Sequence, residues 1–140
     1  MGFMEDVQLV AGELERYRGE SIAGASPVVH QPPMAEVIET LGLRAHVENG
    51  ALTGEAFAEF IRRYLDLTVR LHHPGSLAHQ VAVPHPVAAL AMLVEGVTNN
   101  PMAIYEMGPA AASIEAFLID WLNSKVGWTG HAGGVFTHGG

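Results

Sequence analysis

Gly133-Gly134-Val135-Phe136-Thr137-His138-Gly139-Gly140 is the stretch on which the fold turns. It reads as a glycine turn, a very short apolar strand and then a glycine-rich loop. A strand running into Gly-Gly is a layout that cradles a phosphate on backbone N–H groups, provided that a helix follows. The sequence stops at Gly140, so the anion site that this layout implies is only half present. Read alone, Gly139 and Gly140 are better taken as a flexible terminus. The Thr137 hydroxyl either reaches such an anion or closes the turn.

Upstream of that stretch the pattern is helical, mostly α as an isolated chain. Pro109 opens a helix that places Ile114, Phe117, Leu118, Trp121 and Leu122 inward and leaves Gly127 as its C-terminal cap. Thr98 to Gly108 is a long irregular link. Before it, Pro86 opens a helix over 87–97 that is apolar nearly all round and therefore expects cover on most sides. Residues 79–86 are extended or looped. Thr53 is a plausible N-cap for a helix running to about Leu71, with Phe57, Phe60, Ile61, Tyr64, Leu65 and Thr68 inward. Its charges, Glu59, Arg62, Arg63 and Asp66, lie outside, and His72, His73 and Pro74 stop it. A short helix begins at Pro33 and ends at Gly42. Residues 19–33 read as a connector, broken by Gly19, Gly24, Pro27, Pro32 and Pro33. Residues 4–17 form an amphipathic helix with Val7, Val10, Leu14 and Tyr17 on one face. No repeat, low-complexity segment or internal domain boundary is evident.

Composition narrows the function. The 140 residues are 49% hydrophobic and only 16% charged, where about 25% charged is usual for a soluble domain. Either the core is unusually fat or apolar surface meets a partner, and the second reading is preferred. Net charge is −8, and no stripe of Lys and Arg offers a footprint for nucleic acid. The absence of cysteine excludes a disulfide frame and fits a cytoplasmic location. The first residues lack the basic and apolar regions of a signal peptide, and no apolar run reaches the 20 or so residues of a membrane span. His72, His73, His79 and His85 cluster in sequence, yet no pair has the i, i+4 spacing of a zinc helix, so no metal site is expected.

Four segments resemble, in order, the group II pyridoxal-phosphate-dependent amino-acid decarboxylases, a family that acts on aromatic amino acids, glutamate, histidine and diaminobutyrate. The first is His73-Pro74-Gly75-Ser76-Leu77-Ala78-His79-Gln80, similar to the family's approach to the substrate pocket. The second is Thr98-Asn99-Asn100-Pro101 through Tyr105-Glu106-Met107-Gly108-Pro109, with Ile114-Glu115 after it. The third is Asp120-Trp121-Leu122 with Val126-Gly127-Trp128, and the fourth is Gly134-Val135-Phe136-Thr137-His138-Gly139-Gly140. Each is weak alone; together, in register, they cover about half of the chain.

The resemblance implies the N-terminal part of an α/β enzyme of the aspartate-aminotransferase type (fold type I), a lyase working as a close homodimer. Residues 1–71 would be an N-terminal helical dimerisation segment, and 72–140 the start of the domain that binds pyridoxal 5'-phosphate. In such enzymes the amino acid replaces a lysine in a Schiff base, and the pyridinium ring drives carboxylate loss. The lysine, the Asp that pairs the ring nitrogen and the His stacked on the ring would all follow Gly140. The one lysine here, Lys125, matches no family lysine, so the chain is not expected to be active alone. The resemblance assigns Thr137, His138, Gly139 and Gly140 to the cofactor phosphate, although His138 stands where the family commonly has Ser. It assigns His73, His79 and Gln80 to the substrate pocket, and Asn100, Pro101 and Met102 to a loop approaching the partner's site. Plain readings stand beside these: His73 ending a helix, His79 in a loop bond, Asn99-Asn100-Pro101 as a turn, Trp121 as core. Expected partners are the lysine-bearing remainder, a second subunit and an amino-acid substrate, with no nucleic acid or membrane. Two alternatives remain, a non-catalytic helical interaction module and a cofactor-dependent carbon–carbon lyase. The stop at Gly140 fits an engineered boundary, a split gene or a self-cleavage in which a following Ser or Thr hydroxyl attacks the peptide bond.

Overall fold

The computed structural model describes residues 2–50, 52–77, 80–128 and 130–137. Among them are six α-helices, one 3₁₀ turn and no strand. The helices are α1 (Phe3–Ala23), α2 (Met34–Thr40), α3 (Leu43–Asn49), α4 (Gly54–Asp66), α5 (Pro86–Thr98) and α6 (Pro109–Lys125), with the 3₁₀ turn at Tyr105–Met107. The chain divides into two compact units, Met1–Val83 and Pro84–Gly140. Residues 72–83, read from sequence with the second half, thus cluster with the first helices.

In the first unit α1 packs along α4. Glu5 accepts the Gly2 N–H at 2.8 Å and closes the start of α1. The helix does not stop at Tyr17, as the glycine at 19 suggested, but continues to Ala23. A mid-helix glycine costs about 1 kcal/mol relative to Ala. Here a tertiary contact offsets it: Ser21 is fully buried, and its hydroxyl accepts from Arg70 Nη1 at 3.0 Å. The connector begins instead at Gly24, in the left-handed region at φ 65°.

Gly42 ends α2 as expected, but it also starts a helix that the sequence reading left out, α3. Its φ of 62° turns the chain between the two. His46 of α3 meets Phe60 of α4 edge-on at 5.5 Å, and Arg63 donates to the Thr40 carbonyl at the end of α2. Thr53 stands at the N-cap of α4 as expected, although its side chain makes no capping bond. That helix ends at Asp66, five residues early, because the following backbone is taken elsewhere. The Arg70 N–H donates to Val28 at 2.8 Å, and Tyr17 Oη donates to the Val69 carbonyl at 3.1 Å. Tyr64, expected inward, is exposed, whereas Ala58 and Leu65 are buried.

The interior of this unit is as polar as it is apolar. Leu41, Ala58 and Leu65 are its buried hydrophobic side chains among the described residues, beside Glu13, Ser21 and Arg70. Arg70, 4% exposed, donates to the Tyr17 carbonyl, Ser21 Oγ, Glu20 and Asp66 at 3.0–3.4 Å and lies 4.7 Å above the Tyr17 ring. Glu13 takes Arg62 from α4 at 3.0 Å and Arg16 from its own helix at 3.0 Å. The Arg62 hydrogen bond outweighs burial and, with Arg16, holds the Glu13 carboxyl below its ordinary value of 4.5. Burial opposes the charge of Arg16, but its bonds to Glu13, Glu20 and Asp66 win and raise its pKa.

In the second unit α5 runs from Pro86 with His85 as N-cap, its Nδ1 accepting the Val87 N–H at 3.2 Å. No residue of α5 or α6 is buried. The apolar α5, for which cover was expected on most sides, is thus exposed along its length. On α6 the expected inward stripe is exposed, Phe117 at 67% and Trp121 at 48%. The half-buried positions are Ala111, Ala112, Glu115, Ile119 and Asn123, a different face of the helix. Gly127 does follow the helix in the left-handed region, at φ 78°. The strand expected at Val135-Phe136 is absent among the described residues, since a strand needs a neighbour to pair with. Residues 132–137 run without regular structure.

Candidate functional site

Each group of sequence-assigned residues sits in one unit. In the first, His73 ends the segment that Arg70 anchors: its N–H donates to the Arg70 carbonyl at 3.0 Å. Its Nδ1 accepts the Gly75 N–H at 2.9 Å, which closes a turn and leaves the neutral ring protonated on Nε2. A Cβ on Gly24 would lie 3.4 Å from that Nε2, so the half-buried ring fills the space beside the end of α1. His73 thus shapes the turn at residues 73–76. Gln80 is exposed and takes the left-handed region at φ 48°, a conformation uncommon for a residue other than glycine. His79, assigned with it, lies outside the described residues.

A cleft of about 310 Å³ opens beside Arg70, lined by Arg16, Glu20, Ser26, Pro27, His30, Asp66 and Arg70. Sequence reading missed it, because its members come from α1, the connector after it, the end of α4 and the segment that follows. The only advance signal was Arg70 itself, a charge at the end of an amphipathic pattern.

In the second unit, Asn99 leaves α5 in the left-handed region at φ 44°, and Asn100 Nδ2 donates to the Thr98 carbonyl at 2.6 Å. The chain then folds back on Gly108. A Cβ there would lie 2.8 Å from the Pro101 carbonyl oxygen and 3.4 Å from Met102 Cγ. Pro101 and Met102 are therefore seated against the N-terminus of α6 by a contact that only glycine permits, with Asn100 beside them in sequence. Tyr105 and Glu106 lie in the 3₁₀ turn that closes the same loop.

The approach to the glycine-rich loop is fastened to the middle of α6. The Phe136 N–H donates to Glu115 at 3.0 Å, and Gly134 approaches Ile119 so closely that a Cβ would meet its Cγ2 at 3.2 Å. Thr137 is exposed. His138, Gly139 and Gly140 lie outside the described residues. Lys125 Nζ sits 5.1 Å over the Trp121 ring in the last turn of α6, at the far end from Glu115. Among the described residues no three His, Asp or Glu gather as metal ligands, and no helix is long and apolar enough to cross a membrane.

Comparison with known proteins bears on this arrangement. No family model matches the chain, and no solved structure matches it significantly. The L-2,4-diaminobutyrate decarboxylase of Acinetobacter baumannii is 29% identical over 140 residues, covering 96% of this chain and 27% of that protein. The chain thus spans about a quarter of the length of the curated relative that it matches. The likeness to a group II pyridoxal-phosphate-dependent decarboxylase, read from four segments after His72, holds along nearly the whole chain, α1 to α4 included.

Proposed function

We propose that the chain forms the N-terminal part of a pyridoxal-phosphate-dependent L-amino-acid decarboxylase of fold type I. The similarity to a diaminobutyrate decarboxylase across 96% of the chain carries this reading. The apolar faces left open on α5 and α6 support it, because contiguous exposed apolar surface marks a place where another element packs. The lysine-bearing remainder and a second subunit are the partners proposed to cover them.

In this reading Thr137, His138, Gly139 and Gly140 hold the cofactor phosphate, largely through backbone N–H groups. The close seat of Gly134 on Ile119 fits such a role, since it draws the backbone just before the loop tightly against α6. His73, His79 and Gln80 contact the substrate. Asn100, Pro101 and Met102 reach towards the partner subunit's site. Pyridoxal 5'-phosphate supplies the electron sink for carboxylate loss, while the chain orients substrate and excludes water. A short diamino acid such as L-2,4-diaminobutyrate is the proposed substrate.

The test uses the complete protein in which this chain occurs, supplied with the cofactor. The expected result is a cofactor absorbance band and CO₂ release from L-2,4-diaminobutyrate in preference to aromatic or acidic amino acids. A folded protein that binds no cofactor would instead be a helical interaction module. Cofactor-dependent cleavage without CO₂ would make it a carbon–carbon lyase.

A further inference from the structure

The segment before the glycine-rich loop has no strand neighbour among the described residues, yet it is not loose. It is attached to α6 at two points that match in spacing. Phe136 and Gly134 are two residues apart on an irregular segment, and Glu115 and Ile119 are four apart on the helix. Two extended residues span about 6.6 Å and four helical ones about 6 Å, so both contacts are made at once with the segment running antiparallel to the helix. At the first point a carboxylate accepts a main-chain N–H, replacing the carbonyl that a neighbouring strand would offer. At the second, the missing side chain of Gly134 lets the backbone settle on Ile119. The half-buried face of α6 that carries both contacts differs from the exposed face of Phe117 and Trp121. The open apolar surface remains available to another element while this face serves the chain itself.

We infer that Glu115 is a positioning residue for the cofactor-phosphate loop. By fixing the backbone at Phe136 it sets the direction in which the chain enters Thr137. A loop whose N–H groups must converge on one phosphate loses affinity when its first residue is free to swing, because the ordering then falls to the binding step. The inference rests on the reading of 137–140 as a phosphate loop.

The experiment compares wild type, Glu115→Ala and Glu115→Gln in the complete protein by two measurements. Hydrogen exchange reads the Phe136 amide, and a titration reads pyridoxal 5'-phosphate affinity. Glu115→Ala is expected to speed exchange at Phe136 and weaken cofactor binding about tenfold, near 1.4 kcal/mol. Glu115→Gln keeps an oxygen that accepts the N–H and is expected to retain most of both. Should the alanine variant not fold, Glu115→Asp, one methylene short of Phe136, replaces it. Cofactor affinity unchanged in Glu115→Ala overturns the inference and leaves the proposed function standing. Equal losses in the alanine and glutamine variants also overturn it, since charge rather than positioning would then be at work. A wild type that binds no cofactor fails the proposed function, and the inference with it.

Discussion

Replacing Arg70 by Met removes a buried guanidinium while keeping an unbranched apolar side chain, and its cost follows from its contacts. Hydrogen bonds to charged groups contribute about 1.5–3 kcal/mol net, and breaking a fully buried ion pair costs about 3–5 kcal/mol. The upper range does not apply here. Glu20 and Asp66 are a third and a half exposed, and Arg16 still pairs with both. The Tyr17 carbonyl and the Ser21 hydroxyl still hydrogen-bond each other. What is lost is the Arg70 link between α1 and the 67–75 segment, together with its cation–π contact. A loss of roughly 2–3 kcal/mol follows. For a unit of this size about 4–8 °C in Tm accompanies each kcal/mol, so Arg70→Met is expected to lower Tm by roughly 10–20 °C. The assay is thermal unfolding by circular dichroism, with hydrogen exchange of peptides over 17–24 and 66–76 to place the loss. A variant within about 0.5 kcal/mol of wild type, the range of an ordinary surface substitution, would refute the claim that Arg70 organises this unit.

The lowered pKa of Glu13 gives a pH prediction of definite sign. A carboxylate held below its ordinary value stabilises the fold fully above that value, and the contribution is lost as pH falls through the folded pKa. The difference in urea midpoint between wild type and Glu13→Gln should hold steady from neutral pH to about 5 and shrink below about 4.5; a difference flat down to pH ~3 contradicts the network. Gly108→Ala forces its Cβ onto the Pro101 carbonyl, a backbone atom that cannot swing aside. Overpacking of this kind costs about 1–3 kcal/mol, so the 98–108 loop should open and chymotrypsin should cut faster at exposed Tyr105. An unchanged cleavage rate would show that the loop does not depend on that contact.

Much of the helical content was legible because its signals are local. Pro86 and Pro109 mark the starts of α5 and α6 by their fixed φ and missing N–H, and Gly42 and Gly127 mark ends by tolerating positive φ. The four motifs carried the family resemblance because they preserve residue types in order, which needs no structure. Other features came from contacts far apart in sequence. The extension of α1 past Gly19 and the early end of α4 both depend on Arg70, whose partners lie about fifty residues away. Periodicity found the apolar stripes of α4 and α6 but not which positions are inward, since Tyr64, Phe117 and Trp121 are exposed. In α6 the backbone of residues 134–136 occupies another face, and the predicted stripe is exposed. The strand at Val135-Phe136 had the right residues, but a strand is defined by its neighbour and the described residues offer none.

The sequence by itself determined where helices begin, which turns demand glycine, and which family the residues resemble, because propensity and motif order reside in neighbouring residues. Only the tertiary structure decided which helix faces stay open, that a buried arginine joins α1 to the 67–75 segment, and that Glu115 ties down the approach to the glycine-rich loop. Those outcomes depend on which distant groups meet, and a hydrogen bond or a close backbone contact is fixed by position in space, not by spacing along the chain.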